Sequence, residues 1–400
     1  MNAPLDLAEA QARLLALVEP LPIEQVAVAG ALGRYLAAPL VAGRTQPACD
    51  LSAMDGYAVA ATDLAGPWQL VGESAAGHPF DGAISPGTAV RISTGALLPA
   101  GAGAVIVQED IARAGDRIAL SGSGPAAPGA HIRKLGSDFA EGAELLPTGT
   151  AITPAVLALA LASGHAQLPV RRVPRITVID CGDELAVDPG ACALHQIPAS
   201  NGAMLAAMLA GLPCIVTRIG PVPDQAAALR AALDQSATAD LIVTSGGASV
   251  GDHDIVRPVL ADWGAALEFW RVAIKPGKPL LIARRGAQMI LGLPGNPVSS
   301  HVTAFLFLLP LVRALLGAAA PLPRPLRAVL ALPLTAGGGR HEFLRAHWDG
   351  ESVTPATVQD SGGLAALARA NALIDRAAGA IATPANGAVS IYLLQNGGIA

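Results

Sequence analysis

The chain is long enough for several domains, and its charge is nearly balanced. It has 400 residues and a formal net charge of −5, with 26 Lys and Arg against 31 Asp and Glu. Two to four domains are expected at this length, and no basic stripe typical of nucleic-acid binding is visible. Four cysteines without a Cys-x-x-Cys spacing argue against a zinc ribbon or a redox pair. The N-terminus lacks the basic segment of a signal peptide, and the apolar run at 302–312 is too short to span a bilayer. We therefore expect a cytoplasmic protein that binds neither nucleic acid nor membrane.

The first part of the chain combines helical segments with a β-rich stretch. Apolar residues recur at helical spacing over 5–18, and a second amphipathic helix is predicted over 28–36. From residue 45, short apolar runs alternate with Gly and Pro, which predicts strands at 68–72, 89–93, 105–108 and 117–120. Pro154 and Gly164 bracket a predicted helix over 154–162.

From about residue 173, strands alternate with helices, a pattern that predicts a mostly parallel sheet covered on both faces. Helix starts are predicted at Ser200 or Asn201 and at Asp224. A long helix is predicted over 297–316, before an Ala- and Pro-rich linker that marks a domain boundary. The tail again shows short strands, which we predict at 326–334, 343–348, 380–383 and 389–394.

One predicted strand runs directly into a loop rich in glycine and hydroxyl groups. The residues of this loop are Ser245, Gly246, Gly247, Ser249 and Gly251. Backbone N–H groups in such a loop can hold a phosphate or another oxyanion. Asp252 and Asp254 follow directly, and two carboxylates suit a hydrated Mg²⁺. Asp183 and Glu184, in another strand-end loop, are further metal candidates, with a solvated turn as an equally good interpretation.

Two later loops have the same character. The sequence has only three lysines, and two of them, Lys275 and Lys278, lie in one Lys-Pro-Gly-Lys-Pro loop. Lysine is a compact point charge that binds phosphate and similar anions. The other loop contributes Pro294, Gly295, Asn296, Pro297 and Ser299. We predict that all three loops meet at the carboxyl edge of one sheet, where open α/β sheets bind their ligands.

Residues 247–251 also match Gly-x-Ser-x-Gly, the nucleophile elbow of serine hydrolases. That elbow needs its serine at a sharp turn between strand and helix, whereas Ser245 and two glycines intervene here before Ser249. The sequence contains neither a Walker motif nor Gly-x-Gly-x-x-Gly after a strand. Hydrolysis by serine and classical nucleotide binding are therefore disfavoured.

The ordered set of motifs resembles the MoeA-type molybdopterin molybdenumtransferases and the related C-terminal domain of gephyrin. The matching segments cover residues 52–58, 94–96, 182–185, 245–252, 275–279 and 292–299. The resemblance implies a multidomain α/β plus β fold, with a central MogA-like domain at 173–318. It also implies a discontinuous elongated connector at 1–44 and 136–172, a small β-rich domain at 45–135 and a C-terminal β-barrel-like domain at 319–400.

The same resemblance implies a reaction and a set of roles. Molybdate would enter the dithiolene of adenylylated molybdopterin, with AMP released and Mg²⁺ assisting. Lys275, Lys278, Ser299 and Arg345 are assigned to anion neutralisation, and Ser361 to cofactor contact. The segments around Asp55 and Thr94, for which turn chemistry alone is the other interpretation, are expected to face the active site across a homodimer interface. Adenylyltransferase and recipient molybdoenzymes are the expected protein partners.

Three departures from the family pattern concern pterin or adenylate contacts: Cys181, Ala199 and Gly202. Two other functions remain open at this point. One is the preceding adenylyltransferase step, against which the β domains and the two proline-rich loops argue. The other is a non-catalytic molybdopterin-binding scaffold.

Overall fold

The fold is known from a computed structural model that describes residues 4–247 and 255–394. Four of the predicted site residues lie outside these ranges, namely Ser249, Gly251, Asp252 and Asp254.

The N-terminal part folds as nested strand pairs around a six-stranded sheet. Its elements are α1 (Leu7–Ala16), β1 (Ile23–Ala27), β2 (Leu40–Val41), β3 (Leu51–Ser52), β4 (Gly56–Ala60), β5 (Trp68–Ser74), β6 (Thr88–Ile92), β7 (Ala102–Val107), β8 (Ile111–Ala114), β9 (Arg117–Leu120), β10 (Ile132–Arg133), β11 (Glu144–Leu146), α2 (Pro154–Ala162) and β12 (Gln167–Arg171). The larger sheet has the order β7-β4-β6-β5-β9-β8. β1 pairs with β12, β2 with β11 and β3 with β10, so the chain leaves this region and returns alongside itself.

Most of the local predictions in this part are confirmed, and one is wrong. α2 has the predicted bounds, with Pro154 in its first turn and the Thr153 side chain capping it. The helix predicted over 28–36 shrinks to a 3₁₀ turn at Val28–Gly30. Gly33 adopts a φ of 76°, a left-handed conformation that ends helical geometry.

The central part is an α/β domain with helices on both faces of a mixed sheet. Its elements are β13 (Arg175–Cys181), β14 (Leu185–Ala186), β15 (Ile197–Pro198), α3 (Asn201–Leu209), β16 (Ile215–Val222), α4 (Ala226–Gln235), β17 (Leu241–Ser245), α5 (Val256–Asp262), β18 (Ala266–Trp270), β19 (Ile274–Lys275), β20 (Leu281–Arg285), β21 (Gln288–Leu293), α6 (Pro297–Thr303), a π-helical turn (Ala304–Leu308) and α7 (Leu309–Leu315). The sheet order is β16-β13-β17-β21-β20-β18.

The first four of these strands are parallel, as predicted, and β20 is antiparallel to both of its neighbours. Separate apolar clusters fill the two faces, which explains the nearly unbroken apolar runs of β13, β17 and β21. Asp224 does not cap α4, because the helix begins after Gln225 and no side chain caps it.

The helical run Pro297–Leu315 is longer than its uninterrupted apolar sequence suggested. An 18-residue stretch of this 19-residue run has a mean hydropathy of 1.6, enough in length and composition to cross a membrane. However, 89% of that stretch is buried inside the protein, where Phe305 and Phe307 belong to the main core. The run therefore packs as a core helix.

The C-terminal part closes into a small barrel. Its elements are β22 (Leu326–Leu330), β23 (His341–Trp348), β24 (Ser352–Pro355), α8 (Leu364–Arg369), β25 (Ala372–Arg376) and β26 (Ala388–Leu393). The order β23-β24-β22-β26-β25 is closed by pairing of β25 with β23, and β19 from the central part adds to β23. The strand predicted at 380–383 is wrong, since the structure has only a bridge between Leu334 and Thr383 there.

A partly buried ion pair joins the segment just after β12 to the central sheet. Asp240, just before β17, accepts hydrogen bonds from the Arg172 guanidinium at 2.8 and 2.5 Å and from the backbone N–H of Arg175 at 2.8 Å. Partial burial opposes ionisation of Asp240, but these hydrogen bonds outweigh it and hold the carboxyl pKa below its usual value. The pair therefore fixes the entry of the chain into β13.

We expect Asp240→Asn to lower the free energy of unfolding at pH 7 by about 1–3 kcal/mol, the range for hydrogen bonds to charged groups. Because the folded-state pKa is depressed, this stabilisation is present above the unfolded pKa of about 3.9 and is lost as pH falls through the folded value. Urea unfolding between pH 7 and pH 3 checks this. Glu9→Gln, which removes an exposed pair with Arg13, is the control and should change stability by less than about 0.5 kcal/mol. An undiminished difference at low pH would contradict the assignment.

Candidate functional site

Strand register brings the three predicted loops to one edge of the central sheet. Asp180 on β13 pairs with Ser245 on β17, and Ser245 pairs with Leu293 on β21. All three residues end or nearly end their strands, so the loops that follow start side by side. β18 runs in the same direction as β21, because each is antiparallel to β20. The lysine loop that follows β18 therefore starts from this edge as well, as predicted.

A cleft of about 550 Å³ opens at this edge, between the central domain and the C-terminal barrel. Central-domain residues that line it include Asp180, Cys181, Glu184, Asn201, Ser245, Gly295, Asn296 and Pro297, and the barrel contributes Gly362 and Leu364. The two small strands β14 and β15 form its flap, through Leu185, Ile197 and Pro198. Each central-domain motif that the sequence identified, except the lysine loop, therefore contributes residues to the cleft lining.

Asn201 joins two of the loops. Its side-chain amide donates to Ser245 Oγ at 3.0 Å and to the backbone carbonyl of Gly295 at 2.7 Å. Sequence reasoning treated Asn201 only as a helix start; the available signal was its polar side chain directly before an apolar helix. The structure shows that it fixes the spacing between the glycine-rich loop and the Pro-Gly-Asn-Pro loop.

The glycines of the first loop are needed for close backbone approach. Gly246 and Gly247 have φ of 88° and 66°. A Cβ on Gly246 would lie 2.2 Å from the carbonyl oxygen of Cys181. Only glycine meets both conditions, so the turn out of β17 depends on it.

The Pro-Gly-Asn-Pro loop is attached to the C-terminal barrel. Asn296 donates from its amide to Ser361 Oγ at 3.1 Å, and the N–H of Val298 donates to the Ser361 carbonyl at 3.2 Å. Pro297 starts α6, where proline lacks a donor that would in any case be unpaired. Ser299, predicted to contact an anion, is buried in α6 at 5% exposure and does not line the cleft. Pro294 is likewise buried beneath the loop.

Arg345 supports the Ser361 loop from below. Arg345 is fully buried, and its guanidinium donates to the carbonyls of Val358 and Asp360, both at 2.9 Å. The Gln359 side chain accepts from the N–H of Arg345 and donates back to its carbonyl. Burial lowers the pKa of Arg345 from its ordinary value. In this structure Arg345 holds the loop that carries Ser361, and its assignment to direct anion contact stays a prediction.

Lys275 and Lys278 project from a loop packed on α6. Both side chains are exposed, and Lys275 Nζ lies 3.2 Å from Glu342 Oε1 of the barrel. Between them, Gly277 has a φ of 105°, and a Cβ there would lie 2.5 Å from Thr303 Cγ2. Gly277 thus packs the lysine loop closely against α6, the helix that follows the Asn296 loop. Sequence reasoning did not identify Glu342, which lies in the tail among ordinary charged residues.

The cleft wall formed by β13 is acidic. Asp180 is only 3% exposed, and burial raises the pKa of its carboxyl, which Arg218 at 3.7 Å opposes. Burial also raises the pKa of the Cys181 thiol to about 12, so this thiol stays protonated. A Cβ on Gly202 would lie 2.1 Å from Asp180 Oδ2. The departure at Gly202 therefore has a physical reason, since the Asp180 carboxylate occupies the space of a larger side chain.

Among residues 4–247 and 255–394, no group of three or more His, Cys, Asp and Glu side chains is arranged to hold a metal ion. Glu184 lines the cleft, whereas Asp183 Oδ1 accepts from the N–H of Asp224 at 3.0 Å. Mg²⁺ requires only one or two carboxylates when ligand phosphates supply the remaining oxygens. Glu184 and Asp180 provide that type of donor in the cleft.

Asp55 and Thr94 lie together in the N-terminal part, away from the lining of the cleft. Asp55 Oδ1 accepts from the Thr94 N–H at 2.7 Å and from its hydroxyl at 3.0 Å. These hydrogen bonds from Thr94 hold the pKa of the Asp55 carboxyl below its usual value. The pair is an exposed, ordered carboxylate, and its position opposite a partner subunit remains a prediction.

We expect Gly202→Ala to lower the free energy of unfolding by about 1–3 kcal/mol through overpacking against Asp180. In the absence of the contact with Asp180, replacing this helical glycine by alanine should instead raise the free energy of unfolding by about 0.5–1 kcal/mol. Urea unfolding of Gly202→Ala in the wild-type and Asp180→Ala backgrounds separates the two effects. The same change in stability in both backgrounds would show that Asp180 is not the obstacle.

The geometry can now be compared with known proteins. Three family models cover most of the chain: "MoeA N-terminal region (domain I and II)" matches residues 5–164, "Probable molybdopterin binding domain" matches 177–314, and "MoeA C-terminal region (domain IV)" matches 327–394. Molybdopterin molybdenumtransferase 2 of Mycobacterium tuberculosis is 39% identical over 364 residues, covering 86% of this chain and 88% of the relative. Molybdopterin molybdenumtransferase of Bacillus subtilis is 31% identical over 392 residues, covering 93% and 90%.

The solved structures agree with these matches. The crystal structure of the molybdopterin biosynthesis moeA protein from Pyrococcus horikoshii superposes with a TM-score of 0.84 at 26% identity, covering 98% of this chain and 100% of that one. Family models, relatives and fold all extend over the N-terminal, central and C-terminal parts together. The chain therefore belongs to the MoeA family, as its ordered motifs predicted.

Proposed function

We propose that this chain inserts molybdate into the dithiolene of adenylylated molybdopterin and releases AMP, giving the active molybdenum cofactor. The observation that carries the proposal is the convergence of three loops at one sheet edge, two of them lining the cleft and the third presenting two of the three lysines. Membership of the MoeA family supports it, and relatives named molybdopterin molybdenumtransferase supply the reaction. The adenylyltransferase alternative is less well supported, because the matches extend over the N- and C-terminal parts as well.

The site must bring two anions together. Molybdate is a tetrahedral dianion, and the adenylylated pterin carries phosphate charges. Lys275 and Lys278 would supply compact positive charge, while backbone N–H groups of the glycine-rich loop would bind phosphate. Asn296, held by Ser361, would orient the ligand at the mouth of the cleft.

The chemical change has two parts. The two dithiolene sulfurs become ligands of molybdenum, and two oxygens of molybdate leave as water after taking up protons. Cleavage of the phosphoanhydride by water releases AMP. Glu184 would hold Mg²⁺ together with Asp252 and Asp254, with Asp183 nearby, and the ion would neutralise phosphate charge during this cleavage.

The assembly and location belong to the same proposal. Asp55 and Thr94 would complete the cleft of a partner subunit in a homodimer, because they form an ordered, exposed carboxylate that does not line the cleft at the sheet edge of their own chain. Adenylyltransferase and recipient molybdoenzymes would be transient partners in the cytoplasm. The four-part division at residues 1–44 with 136–172, 45–135, 173–318 and 319–400 is proposed on the same grounds.

Lys278→Ala should raise the molybdate concentration for half-maximal AMP release by about tenfold or more, the value of one hydrogen bond to a charged group. Incubation with adenylylated molybdopterin and graded molybdate measures this. Lys134→Ala is a matched control, since Lys134 is exposed and pairs only with Asp50 in the N-terminal part. Equal molybdate dependence in the two variants would remove Lys278 from the site.

Asp254→Asn should slow AMP release by about tenfold or more at a nearly unchanged melting temperature, because it removes a proposed Mg²⁺ ligand. The rate should recover in part as the Mg²⁺ concentration is raised. AMP release at the wild-type rate at limiting Mg²⁺ would count against this role.

A further inference from the structure

Glu342 of the barrel contacts one of the two site lysines. Glu342 is 7% exposed, and its Oε1 lies 3.2 Å from Lys275 Nζ. On its other side, Oε2 lies 3.4 Å from Nη1 of Arg376, which is 6% exposed. One buried carboxylate thus bridges a buried guanidinium and an exposed ammonium.

Arg376 makes this carboxylate immobile. Its Nη2 donates to the carbonyls of Thr335 at 2.6 Å and Ile381 at 3.3 Å, so the guanidinium is held by backbone on two sides. A buried carboxylate beside a fixed guanidinium cannot swing away without leaving that charge unpaired. Glu342 is therefore an anchored negative charge that faces the lysine loop.

The backbone fixes the other half of the contact. β19 pairs with β23 in parallel register, which places Lys275 opposite Glu342. The N–H of His341 donates to the carbonyl of Ala273 at 2.9 Å, and Arg340 Nη1 donates to the carbonyl of Ile274 at 3.4 Å. The lysine loop is thus bound to the barrel by main chain and by charge. Lys278, three residues further on, is exposed and makes no hydrogen bond or ion pair with the described residues of the barrel, so the two lysines differ in their surroundings.

We propose that Glu342 is a positioning residue: it fixes the Lys275 ammonium on the loop that leaves the same sheet edge as the cleft, and the C-terminal barrel thereby sets the geometry of the proposed anion site. Half of the Lys275 side chain remains exposed, so an incoming oxyanion reaches the ammonium without breaking the contact with Glu342. This inference rests on the proposed function, because it assigns Lys275 to the molybdate site.

The contact itself can be tested without any activity. The chain has three lysines, so protein labelled with ¹³C-lysine gives three Cε signals, which Lys→Arg variants assign. Glu342→Gln should shift the Lys275 signal and leave those of Lys278 and Lys134 in place. Asp375→Asn is the matched control. Asp375 pairs with His341 between β25 and β23, the strands that also carry Arg376 and Glu342, and its substitution should move none of the three lysine signals. An unmoved Lys275 signal in Glu342→Gln would overturn the proposal.

The effect on the reaction is tested by non-additivity. Glu342→Gln should lower the rate of molybdate-dependent AMP release by about tenfold or more. In the Lys275→Ala background, Glu342→Gln should cause no further loss of rate. In the Lys278→Ala background, the losses from the two substitutions should multiply. Glu342→Asp, which keeps the charge, should retain more of the rate than Glu342→Gln. Equal losses in all backgrounds would mean that Glu342 acts only on the fold.

Two further comparisons distinguish failure of the positioning role from a folding defect and from failure of the proposed function. Because Glu342→Gln leaves Arg376 buried without its carboxylate, Glu342→Gln with Arg376→Met removes both charges and should show the same shift of the Lys275 signal in a folded protein. If wild-type protein releases no AMP in response to molybdate, the proposed function fails while the lysine signals still test the contact. If the wild type is active and Glu342→Gln keeps its full rate, the positioning role fails alone.

Discussion

The in-register ends of β13, β17 and β21 are the constraint on which the rest of the site depends. Asp180, Ser245 and Leu293 lie side by side across the sheet, so three separate stretches of sequence begin their loops at one edge. A shift of one residue in either pairing would turn the strand faces over and separate these starts. Buried apolar residues on both faces hold the register, and the cleft is a consequence of it.

The C-terminal barrel completes the site from the other side. It binds the Pro-Gly-Asn-Pro loop through Ser361 and the lysine loop through β23 and Glu342. Arg345 takes part indirectly, since it holds the segment that presents Ser361. Two loops of the central domain therefore owe their positions to contacts with a domain that contributes only Gly362 and Leu364 to the cleft lining.

Acidic and basic side chains lie on different sides of this sheet edge. Asp180 and Glu184 line the β13 side, whereas Lys275 and Lys278 project from the loop packed on α6. Such a division suits a ligand with an anionic end and a hydrogen-bond-donating end better than a simple anion, because a carboxylate accepts hydrogen bonds from uncharged donors. Asp180 also fills the space beside Gly202, which explains why glycine is tolerated at this position.

The sequence by itself determined the elements with strong local signals and the family. Pro154 and Gly164 predicted the two ends of α2 from their backbone preferences, and the apolar runs of β13, β17 and β21 predicted buried parallel strands. Glycine-rich and proline-rich motifs identified three loops, because their backbone demands are local. Only the tertiary structure decided that Arg345 is buried, that Ser299 is buried outside the cleft lining, and that Asn201 and Glu342 hold neighbouring loops in place. These roles depend on contacts between residues far apart in the chain, for which neither spacing nor composition carries a signal.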